Sequence, residues 1–345
     1  MSSNESEQAL AARIEAFLGS QVGHPVRISQ LRRFTVGFSW RTFGLTAHDL
    51  CAPGQDEALI LRLGADAGLY APYSAEPEGL VLDSLQGSAV PVPRVFWRSD
   101  DTTLLGAPFM FCSREPGQAL LPWVSAGAPV LREPLRLALA AQFTDMLAAL
   151  HSLPWAGRPV QALAQGISAD NAALRNMAVW EAHLQRWAMR RYPLAEWGIR
   201  WLKAHAPIAP RVAIVHGDYR TGNFLQQDGR ITAILDWELV HMGDPHEDLG
   251  WISLPMYRGG SPYLCRLLEA DAFYRRYGDA AGFEVDPQAV HYYQVFSFLK
   301  LAVTHMAAAR CFETGRSNDM RMPAMGSQVS TCLRQMDKAI QRGVK

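Results

Sequence analysis

The chain has 345 residues, of which 49% are hydrophobic and 19% charged, and this composition excludes an intrinsically disordered protein. Thirty-three basic residues balance 33 acidic ones, so no overall charge recruits nucleic acid or an anionic membrane. The length exceeds that of one typical domain, which predicts two lobes or two modest domains.

Cysteine usage and the amino terminus predict a cytoplasmic location. The five cysteines are scattered and have no paired metal-ligand spacing, which indicates a reducing compartment. The first ten residues are polar and acidic, unlike a secretory signal. The apolar stretch 290–309 contains polar residues that would be costly in lipid, namely His291, Gln294, Lys300 and His305. A buried helix is therefore expected there, and no membrane partner.

The first part of the sequence predicts a short helix followed by a small antiparallel sheet. Apolar residues recur at helical spacing on one face of the first segment, at Leu10, Ile14, Phe17 and Leu18. Over 26–63, β-branched and aromatic residues alternate with polar ones, with breaks at a glycine and at the turn-rich segment CAPGQDE. These breaks indicate several short strands joined by turns.

A boundary between two lobes is predicted after residue 115. A helical pattern over Glu76–Leu85 precedes the run VPVPRVFW, whose prolines forbid a helix. The strand pattern APFMFCSRE then leads into Pro116 and Gly117, which break regular structure. We therefore divide the chain into an N-terminal lobe, 1–115, and a C-terminal lobe, 116–345.

The C-terminal lobe is predicted to be mainly helical. Pro134 is expected to open a helix whose apolar stripe ends at Leu150. Further helical patterns cover 174–191, 194–205, 263–277, 290–310 and 325–340. Two short strand patterns interrupt them, RVAIVHGD and RITAILDWE. A β-rich part followed by a helical part predicts an α+β fold with two lobes.

Polar side chains follow two apolar runs of the C-terminal lobe. The run 212–215 leads into HGDYRTGN, and the run 231–235 is followed by Asp236. Two adjacent buried strands would present these side chains rigidly. Phosphoryl transfer from a nucleotide requires a carboxylate to accept the proton of the attacking hydroxyl, and hard oxygen ligands for magnesium. Asp218 fits the first role, and Asn223 and Asp236 fit the second.

The segments HGDYRTGNFL, ILDWE and GDPHEDLGW resemble the catalytic loop, the metal loop and the following segment of the aminoglycoside phosphotransferase and choline kinase-like family, relatives of protein kinases. The likeness extends over about 31–251. It implies a two-lobed protein-kinase-like fold that binds ATP and Mg²⁺. Position by position, it implies that Asp218 is the catalytic base and that Asn223 and Asp236 bind magnesium.

The resemblance also implies which residues of the N-terminal lobe bind the nucleotide. Gly37 and Ser39 belong to a segment implied to lie over the phosphates. Glu78 matches the family's helix glutamate, and Arg62 stands where relatives carry a phosphate-binding lysine. The sequence departs from the family in having a single glycine at this loop and in having arginine, which is not equivalent to lysine. An ordinary surface ion pair between Arg62 and Glu78 is the alternative.

The acceptor is predicted from a narrower resemblance. The segments LILRL, EPEGLVLDSL and VPVPR look closest to the kinase-like region attached to some acyl-CoA dehydrogenases, which implies hydroxyacyl-CoA or a related hydroxy compound. An aminoglycoside kinase is the alternative, although a polycation needs clustered carboxylates and few follow residue 250: Glu269, Asp271, Asp279, Glu284 and Asp286. A nucleotide-binding module without turnover is a third class, favoured only by the sparse glycine loop. Oligomeric state and the choice between ATP and GTP stay open.

Several polar residues near the motif have structural or open roles. His216 is expected to hold backbone carbonyls. Asp244 is expected to cap a helix, with Glu247 reaching back to its first turn. Asp248 either braces the catalytic loop, as the resemblance implies, or is a solvated helix carboxylate. Arg220 either neutralises the transferring phosphate or faces solvent.

Overall fold

The computed structural model describes residues 3–35, 37–65, 68–120 and 131–343. The chain forms two compact units. The first consists of Met1–Asp83 and Pro93–Glu115, and the second of Ser84–Val92 and Pro116–Lys345. The first is β-rich and the second mainly helical, so the predicted α+β class is confirmed.

The first unit is built around a five-stranded antiparallel sheet in the order β1-β2-β3-β5-β4. Its elements are α1 (Ser3–Val22), β1 (Arg27–Phe34), β2 (Arg41–His48), β3 (Glu57–Leu63), α2 (Glu76–Leu85), β4 (Val95–Ser99), α3 (Thr102–Leu105) and β5 (Phe109–Ser113). The predicted helix before the sheet, the antiparallel sheet, the helix 76–85 and the strand APFMFCSRE are confirmed. The short helix α3 had no prediction.

Alternation of side chains along β3 and β5 creates the core of the first unit. Leu59, Leu61 and Leu63 are fully or almost fully buried, and Leu61 lies opposite Phe111 on the neighbouring strand. The apolar face of α1 packs on the same cluster, where the Phe17 ring stands 4.9 Å from that of Phe109. Because successive strand residues face opposite sides, the intervening Arg62 lies on the other face of the sheet.

The second unit contains most of the helices and, among its described residues, two small sheets. Its elements are β6 (Gln118–Ala119), α4 (Glu133–His151), α5 (Ala172–Trp187), α6 (Pro193–Ala204), β7 (Ala213–Val215), β8 (Phe224–Gln227), β9 (Arg230–Ile234), β10 (His241–Gly243), α7 (His246–Ile252), α8 (Ala270–Ala281), α9 (Pro287–Glu313), α10 (Arg321–Gly326) and α11 (Val329–Gly343). The predictions for α4, α5, α6 and α9 are confirmed.

Helix α9 is the centre of the second unit. Helices α5, α6, α7, α10 and α11 all pack against it. By length and composition it is apolar enough to cross a membrane, but 83% of its most apolar window is buried inside the molecule. The prediction of a buried helix is therefore confirmed.

The two predicted strands that precede the polar motifs belong to different sheets. Strand β7 pairs with β10, whereas β9 pairs with β8 in a three-stranded sheet with β6. The prediction that the two strands are adjacent is therefore wrong. Each pairs with an antiparallel strand of only three or four residues, and such short partners carry little of the alternation that identifies a strand.

Two predicted helices have different bounds. Helix α8 begins at Ala270, whereas the prediction began at residue 263, because Cys265 and Arg266 adopt positive φ angles of 47° and 63°. The predicted helix 325–340 is divided into α10 and α11, and the break follows Gly326. Glycine is a poor helix former, so a helix commonly ends beside it.

Helices α7 and α9 approach closely at Gly250, and we expect Gly250→Ala to destabilise the protein. An added Cβ would lie 2.5 Å from Cβ and 2.6 Å from the carbonyl carbon of Tyr293, so part of α9 would have to move. Overpacking of this kind costs about 1–3 kcal/mol. Urea unfolding of the variant and the wild type measures the difference.

Gly198→Ala is the matched control. The three atoms nearest to its Cβ would all belong to the flexible side chain of Met336, and alanine otherwise favours a helix interior by about 0.5–1 kcal/mol. A Gly250→Ala protein as stable as Gly198→Ala would contradict the close approach of α7 and α9.

Candidate active site

The carboxylate of Asp218 lies in the loop between β7 and β8 and is held by three donors. The Nε of Arg220 and the indole Nε1 of Trp251 each donate to Oδ1 at 2.7 Å. The side-chain amide of Asn223 donates to Oδ2 at 2.7 Å and to the Asp218 carbonyl at 2.9 Å. The side chain keeps 15% of its surface exposed. The carboxylate is thus fixed in orientation and remains accessible.

Asn223 connects Asp218 to the segment that carries Asp236. The backbone carbonyl of Asn223 accepts a 2.8 Å hydrogen bond from the Leu235 amide, and Asp236 follows directly. The backbone of Asp236 is left-handed, with φ 66° and ψ 54°, a conformation that aspartate tolerates better than most residues. The structure therefore brings Asp218 and Asn223 together and places Asp236 one residue from a hydrogen bond to Asn223.

His216 is fully buried and structural, as predicted. Its Nε2 donates to the Leu235 carbonyl at 3.0 Å, and its Nδ1 accepts from the Asp218 amide at 3.2 Å. A ring that donates from one nitrogen and accepts at the other is neutral. Burial lowers the pKa of His216 in spite of nearby carboxylates, which agrees with that form.

Asp248 braces the loop, which decides between the two predicted roles. Its carboxylate is fully buried and accepts from the amides of His216 at 2.8 Å and Gly217 at 2.9 Å. Nε2 of His151 lies 3.1 Å from Oδ2. Burial raises the pKa of Asp248, but the hydrogen bonds from His151 and from the loop amides outweigh this effect. The pKa of Asp248 therefore lies below its ordinary value. The carboxylate is therefore charged at neutral pH.

Arg220 does not face solvent, and its other predicted role, neutralising the transferring phosphate, stays a prediction. Its side chain is 16% exposed and donates to Asp218, and its guanidinium lies 5.5 Å from the centre of the Tyr257 ring. Burial lowers the pKa of Arg220, but the charges of Asp218, Tyr257 and Asp236 raise it above its ordinary value. The electrostatic influence of both carboxylates on one guanidinium agrees with a common site.

Asp244 accepts from the first amide of α7, although Pro245 occupies the N-cap position, and Glu247 does not reach back to Asp244. Oδ1 of Asp244 accepts from the amide of His246 at 2.9 Å. The Glu247 carboxylate instead accepts from Nζ of Lys300 at 2.6 Å and from the amide of Asn176. A buried ammonium is a stronger partner for a carboxylate than a backbone amide that the helix can satisfy otherwise.

Within the first unit, Arg62 and Glu78 form an ion pair. Their side chains are 13% and 6% exposed, so the alternative of an ordinary surface pair is wrong. The Arg62 guanidinium also lies 5.4 Å from the centre of the Trp40 ring. Gly37 and Ser39 lie in the β1–β2 loop, where Ser39 is buried.

Sequence reasoning assigned no role to Trp251 or Lys300. Trp251 stands three residues after Asp248 in the segment GDPHEDLGW, and helical spacing could have placed both on neighbouring positions of one helix. Lys300 was noticed only as an interruption of an apolar run. A lone charge in a buried helix signals a partner, but the partner Glu247 lies 53 residues away and no local pattern identifies it.

The oxygens near Asp218 fit a magnesium ion better than a softer metal. Nδ2 of Asn223 is committed to Asp218, which leaves its carbonyl oxygen for a cation, and Asp236 supplies a carboxylate. In the described part of the chain, no group of three or more His, Cys, Asp or Glu side chains forms a metal site. Magnesium suits such a sparse set, because it typically keeps waters and substrate phosphates as its other ligands.

Comparison with known proteins identifies similar sequences. The model of the phosphotransferase enzyme family matches residues 31–292. Acyl-CoA dehydrogenase family member 10 of Mus musculus is 25% identical over 327 residues, which cover 90% of this chain. The chain spans only 29% of the length of that relative.

Solved structures share the fold. A Ralstonia eutropha protein, provisionally described as an aminoglycoside phosphotransferase, has a TM-score of 0.72 and 22% identity, covering 96% of this chain and 98% of its own. A thermostable mutant of an aminoglycoside phosphotransferase, in ternary complex with ADP and hygromycin B, has a TM-score of 0.62 and 18% identity, covering 96% and 99%. The predicted two-lobed kinase-like fold is confirmed.

We expect Asp248→Asn to destabilise the protein at neutral pH. An asparagine amide turns one acceptor oxygen into a donor and leaves a buried N–H unsatisfied, which costs about 1–3 kcal/mol. Because the folded-state pKa of Asp248 lies below the ordinary 3.8, its stabilisation is present above that pH and is lost as pH falls through the folded pKa. Urea unfolding at several pH values from 7 to 3 measures the gap in the free energy of unfolding between the variant and the wild type.

Asp145→Asn is the control for that experiment, because Asp145 pairs with Arg276 at a site where both side chains are nearly half exposed. Such a surface pair contributes little. If the gap for Asp248→Asn matched that of Asp145→Asn, or widened as pH fell, the bracing role would be refuted.

Proposed function

Because the chain belongs to the phosphotransferase enzyme family, we propose that it transfers the γ-phosphoryl group of ATP to a hydroxyl of a small molecule. One observation carries the proposal. An ionised carboxylate has about four acceptor positions, and Arg220, Trp251 and Asn223 occupy three of those on Asp218. The remaining position, on Oδ2, is available to the hydroxyl of an acceptor.

Asp218 acts as the base of this reaction. It accepts a hydrogen bond from the acceptor hydroxyl and orients its oxygen toward the γ-phosphorus. The new oxygen–phosphorus bond forms as the bond to the bridging oxygen of ADP breaks, and the hydroxyl proton passes to Oδ2 of Asp218. Positioning supplies most of the rate, because phosphoryl transfer needs little covalent help from the protein.

The carbonyl oxygen of Asn223 and the carboxylate of Asp236 would hold Mg²⁺. When bound there, the ion would supply positive charge that neutralises the nucleotide phosphates. Asn223 suits this position because it supplies an oxygen without adding a negative charge next to Asp218.

In the first unit, Arg62 aligns the nucleotide phosphates, so residues 1–115 serve as the nucleotide-binding lobe. The ion pair with Glu78 and the nearby Trp40 ring support this role, since a buried guanidinium held from two sides has few orientations. Gly37 and Ser39 contribute backbone contacts to the phosphates.

The five cysteines are free thiols, which supports a cytoplasmic location.

We propose a hydroxyacyl-CoA as the acceptor. The match to an acyl-CoA dehydrogenase family member supports a thioester. A concavity of about 450 Å³ between α8 and α9 supports an anion, since Arg258 and Arg275 line it against a single acidic residue, Asp271. Arg258 follows Tyr257, whose ring centre lies 5.7 Å from that of Trp251 with the two planes tilted by 42°. The phosphates of coenzyme A suit this lining, whereas a polycationic aminoglycoside does not.

We expect Asp218→Ala to lower kcat by about 10²–10⁴-fold, the contribution of a general base. Binding of Mg²⁺ with ATP should stay close to that of the wild type, because Asp218 contacts the acceptor and not the nucleotide. Asp236→Ala should show the opposite pattern, with weaker magnesium-dependent nucleotide binding. Steady-state kinetics and nucleotide titrations with and without Mg²⁺ measure both.

Loss of nucleotide binding in Asp218→Ala would refute its role as base. Unchanged magnesium titrations in Asp236→Ala would refute the metal role. A wild-type protein that binds Mg²⁺ with ATP but phosphorylates nothing would favour the nucleotide-binding module without turnover.

The acceptor is tested by ADP release with hydroxyacyl-CoAs, amino sugars and amino alcohols. We expect hydroxyacyl-CoAs to support turnover. Arg275→Gln should then raise the KM for the thioester about 10-fold, the loss expected for one charged contact of about 1.4 kcal/mol. Arg276→Gln is the matched control, because the neighbouring Arg276 binds Asp145 instead. Turnover of an aminoglycoside alone would refute the thioester and leave the phosphotransferase assignment intact.

A further inference from the structure

Lys300 is a buried cation beside the catalytic loop. It lies in the middle of α9 and is 1% exposed. Its Nζ donates to the Glu247 carboxylate at 2.6 Å and to the Gly217 carbonyl at 3.2 Å. Gly217 immediately precedes Asp218. Burying an ammonium costs desolvation free energy unless hydrogen bonds and opposite charges offset it. The contacts of Lys300 therefore indicate what offsets this cost.

Aromatic rings surround the ammonium on its other sides. Nζ lies 4.9 Å from the centre of the Trp251 ring, 5.3 Å from that of Trp180 and 5.8 Å from that of Phe296. Trp251 is the residue whose indole N–H donates to Oδ1 of Asp218. Lys300 therefore contacts two groups that are attached to Asp218. One is the backbone carbonyl of Gly217, and the other is the ring of Trp251, which donates to the Asp218 carboxylate.

The partner of Lys300 is itself held in place. Glu247 is 1% exposed, and its second oxygen accepts from Asn176 and lies 3.2 Å from Nε2 of His241. Burial raises the pKa of Glu247, but the charges of Lys300 and His241 lower it to about 2. The Glu247 carboxylate is therefore ionised at neutral pH, and its contact with Nζ fixes the position of the Lys300 side chain.

We infer that Lys300 is a positioning residue for the phosphoryl-transfer reaction. It sets the orientation of Asp218 by holding the Gly217 carbonyl and the Trp251 ring. This inference rests on the proposed function, in which Asp218 is the base. It predicts that the positive charge matters for turnover beyond its value as a partner for Glu247.

The double variant Lys300→Met with Glu247→Gln separates these two roles. It removes both charges together, so no unpaired charge is left buried, and replacing such a pair by groups of similar volume is often tolerated. Methionine also packs well against aromatic rings. We expect the variant to fold, with a lower unfolding temperature because the buried Gly217 carbonyl loses its donor. The KM for ATP should be unchanged, and kcat should be lower by about 10²-fold, the effect of a misplacement of about 1 Å.

Hydrogen exchange gives a second readout that needs no substrate. Amides of the loop 216–220 should exchange faster in the double variant than in the wild type, because the Gly217 carbonyl has lost its donor. Lys203→Met is the matched control, since Lys203 forms a half-exposed ion pair with Glu181. It should change neither the exchange nor the kcat.

The outcomes are distinct. Wild-type kcat and wild-type loop exchange in the double variant would overturn the positioning role. A wild-type protein without turnover would overturn the proposed function, and the exchange data would still decide the role of Lys300. If the double variant does not fold, Lys300→Arg replaces it, because arginine keeps a cation beside Glu247 but not the geometry of the ammonium. Wild-type kcat and exchange in Lys300→Arg would then contradict the inference.

Discussion

The buried carboxylate of Asp248 is the constraint on which the candidate site depends. It is fully excluded from solvent, and it accepts hydrogen bonds from the amides of His216 and Gly217. His151, at the end of α4, faces the same carboxylate. A buried charge that loses its donors costs several kcal/mol, so the loop, α4 and α7 have one joint arrangement that satisfies it. Asp218 directly follows the two bound amides, and its backbone position follows from theirs.

The periodicity of helix α7 directs its side chains toward two different neighbours, helix α9 and the loop 216–220. Glu247 and Trp251 are four residues apart and lie on one face of the helix, which explains why both meet Lys300 of α9. Asp248, the residue after Glu247, faces the loop 216–220 instead. The close approach of α7 to α9 at Gly250 leaves no room for a side chain and keeps these contacts short. One short helix thereby holds the backbone before Asp218 through Asp248 and the Asp218 carboxylate through Trp251.

Local patterns in the sequence predicted those parts of the fold that local interactions determine. The apolar face of α1 and the bounds of α2 follow from side-chain spacing alone, and both agree with the structure. The start of α8 does not, because two consecutive residues with positive φ precede it and neither is glycine. Strand pairing was also beyond reach, since β7 and β9 each pair with a strand of three or four residues. Such short strands carry almost no periodic signal.

The candidate site divides in the same way. The sequence predicts Asp218, Asn223 and Asp236 as site residues because phosphoryl transfer needs a carboxylate base and oxygen ligands for magnesium, and the structure joins the first two by a hydrogen bond. The residues that orient Asp218 were not, because Trp251 is 33 residues away and Lys300 lies further along the chain. Sequence alone does not state which buried charge meets which. A lone lysine in an apolar helix requires a buried partner, but only the packing of α7 on α9 identifies Glu247.

The position of Asn223 beside Asp218 requires an amide side chain, and a charged side chain would not replace it. Its Nδ2 donates to Oδ2 of Asp218, and the opposite end of the same planar amide is an oxygen. An aspartate at this position would lose the donor and place a second negative charge against Asp218, raising the cost of ionising both. A lysine would keep a donor but offer no oxygen to a cation. A single neutral amide therefore orients the Asp218 carboxylate and, under the proposed function, leaves an oxygen for the metal, while its second bond to the backbone carbonyl of residue 218 holds the amide in place independently of that carboxylate.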